Sequence, residues 1–374
     1  MNKHSALHQI LNVMALSDPQ NAKRLLETIS AEDPDAFKWY LRVDSPNRGD
    51  ARVLITEKLA ERDLNEAIDF VAKYDEGTHG NMLNGLSLAL PKDDPIALHE
   101  ALTEIQEHAK YEALIAQLGG IMRSSDPKVT VDSLLNLETS KVRQDLLGEV
   151  IGQWAETDLS ATQDLLQGFP QDERDAWAQE ALNRLDRFAP IDQIIGFVET
   201  LEIDQLPSSF VEEIGKRHPE AMANMIEKLP EGPARKESHQ VYGRTLAESQ
   251  GEDGLDWVTH VSPLDYSEAV KGFAEGWSNY DTAAAAEWLA LEPRGDARDQ
   301  GVAALASHLV RSDSEAVFAW GSTIEEASLR MESLAKVIPR WSKVDSEATQ
   351  AAIKAAEIPA SEKEALRALI PSLP

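Results

Sequence analysis

Apolar and small residues fall in pairs of short stripes with helical spacing, each pair split by a polar or proline-bearing break and followed by another pair about 32 residues on. Counted from an acidic start, the first stripe takes offsets +3, +4, +7, +8 and +11. In the unit opened by Asp158 these are Ala161, Leu165, Leu166 and Phe169, and in the unit opened by Asp313 they are Ala316, Val317, Trp320 and Ile324. Apolar groups three and four residues apart share one face of an α-helix, so each stripe predicts an amphipathic helix. Proline at +12 (Pro170, Pro230, Pro263, Pro293) stops the first helix. A second stripe near +20, +21, +24 and +28 predicts an antiparallel return helix, as in Leu146, Leu147, Val150 and Trp154. No alternating run rich in β-branched residues competes with helix.

The unit starts are Asp33, Asp63, Asp94, Asp126, Asp158, Pro190, His218, Gly251, Asp281, Asp313 and Asp345. Each reads as a helix N-cap, where a short polar side chain accepts from the free N–H groups of the first turn and proline is tolerated next. Asp33-Pro34, Asp94-Pro95, Asp126-Pro127 and His218-Pro219 follow that grammar. Residues 1–32 read as N-terminal capping helices, 33–344 as ten helical hairpins and 345–374 as a closing repeat. The whole of 1–374 reads as one continuous all-α solenoid of 11–12 hairpins. One hairpin cannot bury its own stripe, so neighbours must stack, and small residues at +3 (Ala36, Ala97, Ala161, Ala284, Ala316, Ala348) favour close approach.

This arrangement of caps, stripes and breaks resembles the αα-repeat solenoids, the broad group that includes tetratricopeptide-like and HEAT-like arrays. The local consensus is Asp, Ala at +3, apolar at +7/+8, Pro at +12 and Arg at +17, in place of the Trp–Leu-Gly–Tyr pattern of tetratricopeptide repeats. The resemblance implies a right-handed superhelix and a scaffold that binds a partner along a groove, and it carries over no catalytic residue.

Composition narrows the partner. The chain of 374 residues carries 36 Lys+Arg against 65 Asp+Glu, a formal net charge of −29. Such a surface repels phosphate backbones and anionic lipid, which speaks against nucleic acid and favours a protein or peptide, a basic one above all. With no cysteine, disulfide, thiolate and cysteine–zinc chemistry are out. No apolar run is long enough to span a membrane. The first residues show no leader pattern, which reads as a cytoplasmic protein or an exported one already processed.

Motifs for catalysis do not emerge: there is no phosphate-binding glycine loop, H-E-x-x-H or G-x-S-x-G. His4 and His8 share a helix face without a third ligand, His99 and His108 are out of phase, and Glu104, His108 and Glu112 read as a solvated charge ladder. No cofactor or metal is expected. Arg143, Arg235, Arg298 and Arg330 recur at +17, on the core side of the second helix. They read either as a ladder gripping anions or as staples between repeats, and their recurrence within the unit favours staples. Among the tryptophans, Trp154, Trp277, Trp341, Trp288 and Trp320 fall in the stripes and are expected in the core. Trp39 and Trp257 at +6 and Trp177 at +19 fall off them and are the candidate exposed binding aromatics, unless a one-residue register slip buries them. The expectation is a non-catalytic binding or scaffolding protein with an acidic groove. The alternatives are a structural component of a cell-envelope or surface assembly, or an enzyme or accessory with a carbohydrate or small-ligand site.

Overall fold

The computed structural model describes residues 3–32, 51–74, 81–119, 126–185 and 189–371. The chain forms two compact units, Met1–Thr162 and Gln163–Pro374. All regular structure among the described residues is helical. The first unit contains α1 (Lys3–Ser17), α2 (Pro19–Glu32), α3 (Ala51–Ala60), α4 (Leu64–Tyr74), α5 (Asn81–Ala89), α6 (Pro95–Ile105), α7 (Tyr111–Gly119), α8 (Pro127–Leu135) and α9 (Lys141–Thr157). The division falls inside α10 (Leu159–Leu166). The second unit continues with α11 (Gln171–Leu185), α12 (Ile191–Thr200), α13 (Ser208–Arg217), α14 (Pro219–Lys228), α15 (Pro233–Gln250) and α16 (Leu255–His260). It ends with α17 (Tyr266–Ser278), α18 (Thr282–Leu291), α19 (Asp296–Leu309), α20 (Ser314–Gly321), α21 (Ala327–Val344), α22 (Ser346–Ala355) and α23 (Ala360–Ala368).

Aspartate starts most of the first helices for the reason expected of a cap. Asp94, Asp126, Asp158, Asp281, Asp313 and Asp345 each accept a backbone N–H from the first turn, at 2.8–3.1 Å. Asp18 and Asp63 do the same through the N–H of Asn21 and Glu66. Pro190 and His218 start helices without a side-chain cap bond; proline has no polar side chain to make one. Gly251 opens a short 3₁₀ turn, Gly251–Gly254, ahead of α16. Asp33 and Ala36 lie outside the described residues. In the Asp-capped hairpins the deepest first-helix positions are +4 and +8, as in Leu98 and Leu102, Ala285 and Leu289, and Thr349 and Ile353. The threonines at +4, Thr130, Thr162 and Thr349, are buried and donate to the carbonyl of the capping aspartate four residues back.

Within the second unit, consecutive return helices pack against one another in the order α13, α15, α17, α19 and α21, and first helices touch the return helices next to them in the chain. Glycine sets the spacing between α15 and α17. A Cβ on Gly272 would lie 1.9 Å from the Gln240 carbonyl oxygen, and one on Gly276 would lie 2.5 Å from that of Arg244. The backbones touch there, and no other residue fits. The last hairpins close around Val317, Phe318, Leu334, Val337, Ile338, Trp341, Ile353, Ile358 and Leu366. Beyond that core the outer face of α22 and α23 carries Gln350, Lys354, Glu364 and Arg367, all exposed.

Candidate functional site

The four sequence-predicted arginines are all buried. Arg143, Arg235 and Arg330 each turn Nη1 onto the carbonyl oxygen six residues back, that of Leu137, Leu229 or Ile324, at 2.7–3.1 Å. Each guanidinium thus satisfies carbonyls left free where the first helix of its own hairpin ends. Arg235 also reaches forward to Asp265, Nε to Oδ2 at 2.9 Å. Arg330 reaches Glu362 through two bonds, 2.8 and 2.6 Å, and this pair holds the Glu362 carboxyl below the usual carboxylate range. Arg298 bonds Thr323 of the following hairpin at 3.2 Å. Every polar contact found on these side chains is internal, joining successive helices.

A fifth arginine, half-buried, holds the same place relative to its stripe. Arg174 precedes Trp177, Ala178, Ala181 and Leu182 by three, four, seven and eight residues, as Arg143 precedes Leu146, Leu147, Val150 and Ile151, and all eight are buried. The Asp158 unit is therefore one residue short before its second stripe. Trp177, predicted exposed, is 3% exposed and meets Phe169 edge-to-face at 4.7 Å. Counting back from the stripe, rather than forward from Asp158, finds this register. Beside it the Asp175 carboxyl is pushed up, by burial first and by the charge of Asp204 second.

Trp257 is half-buried, stacked on the ring of His239 at 6.0 Å and edge-on to Tyr242 at 4.7 Å. The His239 ring lies against the Arg235 carbonyl and the Glu227 carboxylate, at 2.9 and 3.2 Å. Trp39 lies outside the described residues. Of the five tryptophans expected in the core, Trp277 and Trp341 are buried, whereas Trp154, Trp288 and Trp320 are half-buried. Offset +7 lies on the shoulder of a seam centred on +4 and +8, so Trp288 rests against Phe273 and Trp277 at the rim, and Trp320 lies 5.9 Å from the Arg298 guanidinium.

No group of three or more His, Asp or Glu among the described residues could hold a metal ion. His99 bonds Ser140, and His108 faces Asp69; the side chains of His4 and His8 lie outside the described set. What the fold does build is a trough in the second unit, about 580 Å³, crossing α17, α19 and α21. Ala303, Ala304 and Ser307 of α19 form a floor of small side chains. Lys271 and Glu275 stand on the α17 wall, and Glu332 and Lys336 on the α21 wall. Lys336 bonds Glu332 at 2.8 Å and holds its carboxyl below the usual range, with Lys271 adding to this from across the floor. The polar row continues from α17 onto α15 and α13, where Arg244 bonds Glu212 at 2.5 Å and lies 3.7 Å from Glu275. The trough is thus balanced in charge, unlike the chain as a whole. Its lining was not singled out from the sequence, although it occupies regular places, two, five, six and nine residues after the arginine position.

No family model, curated protein or solved structure matches this chain. No helix among the described residues is long and apolar enough to cross a membrane.

Proposed function

We propose that this protein is a non-catalytic scaffold, a right-handed αα-repeat solenoid that holds a segment of another protein in the trough across α17, α19 and α21. The observation that supports this reading is the trough itself. Three consecutive return helices pool their exposed positions into one continuous polar surface, with a flat floor that a partner's backbone can approach. Its charges are paired along the walls rather than converging on one point, as general acid–base chemistry would require. The net charge of −29 draws basic proteins at long range. At contact, Lys271 and Lys336 set against Glu275 and Glu332 favour a segment of mixed charge.

The test is affinity capture from a lysate of the source organism at low and high salt, with a Ser307→Trp variant alongside. Ser307 is exposed, so the indole fills the trough without entering the core. A protein captured by the parent chain and lost with the variant, at unchanged circular dichroism, is the expected result. The same proteins captured by both, or none by either, would count against the trough as the binding face.

A further inference from the structure

Between α12 and α14, where both first helices end, a second and smaller crevice of about 260 Å³ opens. Its floor is apolar: Val198, Ile203, Met225 and Leu229, all buried. Glu199, Glu202 and Lys228 stand at its rim. At that size it is below the usual range of small-molecule sites and suits a single long side chain. Glu199 already pairs with Lys228 of α14, whereas no described residue pairs with the Glu202 carboxylate. Glu202 also has the one positive φ outside glycine among the described residues, 52°. Helix α12 ends in a Schellman turn, with the Ile203 N–H on the Val198 carbonyl and the Glu202 N–H on that of Glu199, both at 3.2 Å. The left-handed place in that turn favours glycine, and here a glutamate occupies it at a conformational cost. The turn sets the carboxylate at the mouth of an apolar slot, and Asp204, also exposed, adds negative charge two residues on.

We propose that this crevice receives one arginine side chain of a partner protein, its methylenes on Val198, Ile203, Met225 and Leu229 and its guanidinium on Glu202, beside the Glu199–Lys228 pair. The inference rests on the protein-binding reading, but its site lies apart from the trough and is tested without any partner. A carboxylate without a partner at the mouth of an apolar slot matches a guanidinium on an aliphatic stem, with the Glu199–Lys228 pair beside it. The full chain, labelled at its seven methionine methyls, is titrated with N-acetyl-arginine amide and followed by NMR, with Met225→Leu assigning the Met225 signal. We expect that signal to move saturably. The uncharged analogue N-acetyl-citrulline amide should bind about tenfold more weakly, as loss of a charge-assisted contact implies. Glu202→Gln should bring arginine down to the citrulline level, and Glu202→Gly should lose binding while raising Tm, because glycine relaxes the turn. A silent Met225 signal, equal response to arginine and citrulline, or full binding by Glu202→Gln would overturn the proposal. The trough reading stands or falls separately, on Ser307→Trp.

Discussion

Trp177 fills a site closed on nearly every side, with Phe169 against its ring. Its replacement by alanine is expected to cost about 3–5 kcal/mol in chemical denaturation. The half-buried Trp320 should cost less when truncated, because part of its ring already faces water. Arg330 and Glu362 make a two-bond ion pair, both side chains largely shielded from water. Glu362→Gln should therefore destabilise by about 1.5–3 kcal/mol near neutral pH. Because pairing depresses the Glu362 value in the folded state, its contribution is full above the unfolded value and fades as pH falls through the folded one. Urea titrations of parent and variant should converge in acid. Asp175 has the opposite sign: its folded value is raised by burial and by Asp204, so its ionised form opposes folding above that value. Asp175→Asn should raise Tm at neutral pH, and the advantage should shrink as pH is lowered.

At the scale of the helix, two glycines make opposite predictions. Gly272 lies in the contact of α17 with the α15 backbone, where a Cβ meets the Gln240 carbonyl. Gly272→Ala must push two helices apart, at a cost of about 1–3 kcal/mol or more. Gly196, inside α12, has nothing within 4 Å of where its Cβ would be. Gly196→Ala should stabilise by up to about 1 kcal/mol, since alanine is the better helix former. Measured side by side by thermal unfolding, the pair separates packing from propensity. The sequence shows a glycine within a helical stripe in both cases and gives no hint of the difference in sign, which depends on what the neighbouring helix brings to that point.

For the whole chain, the expectation from stacking is that a hairpin can be removed. Deleting Asp281–Ser312 joins Tyr280 to Asp313, and Asp313 makes the same cap to the third residue after it as Asp281 does, 2.9 against 3.0 Å. A folded, shorter chain with partly reduced stability is the expected result by circular dichroism. Complete unfolding would show that the hairpins are not interchangeable units.

Caps and stripes were legible because they are local. An aspartate accepting from the N–H three residues on, and apolar groups spaced by three and four, need no knowledge of the rest of the chain. The burial of Arg143, Arg235, Arg298 and Arg330 followed from the same geometry. The sequence by itself thus determined that the chain is helical, where most first helices begin and which faces are turned inward. The tertiary structure decided the rest. It set the one-residue slip that buries Trp177 and admits Arg174 to the series, because an offset counted from a distant cap accumulates loop-length errors that the packed stripe does not share. It made glycine obligatory at position 272 but not at 196. It also gathered Lys271, Ser307 and Lys336 into one trough, and Glu202 with Met225 into one crevice, because residues on different helices become neighbours only when those helices pack.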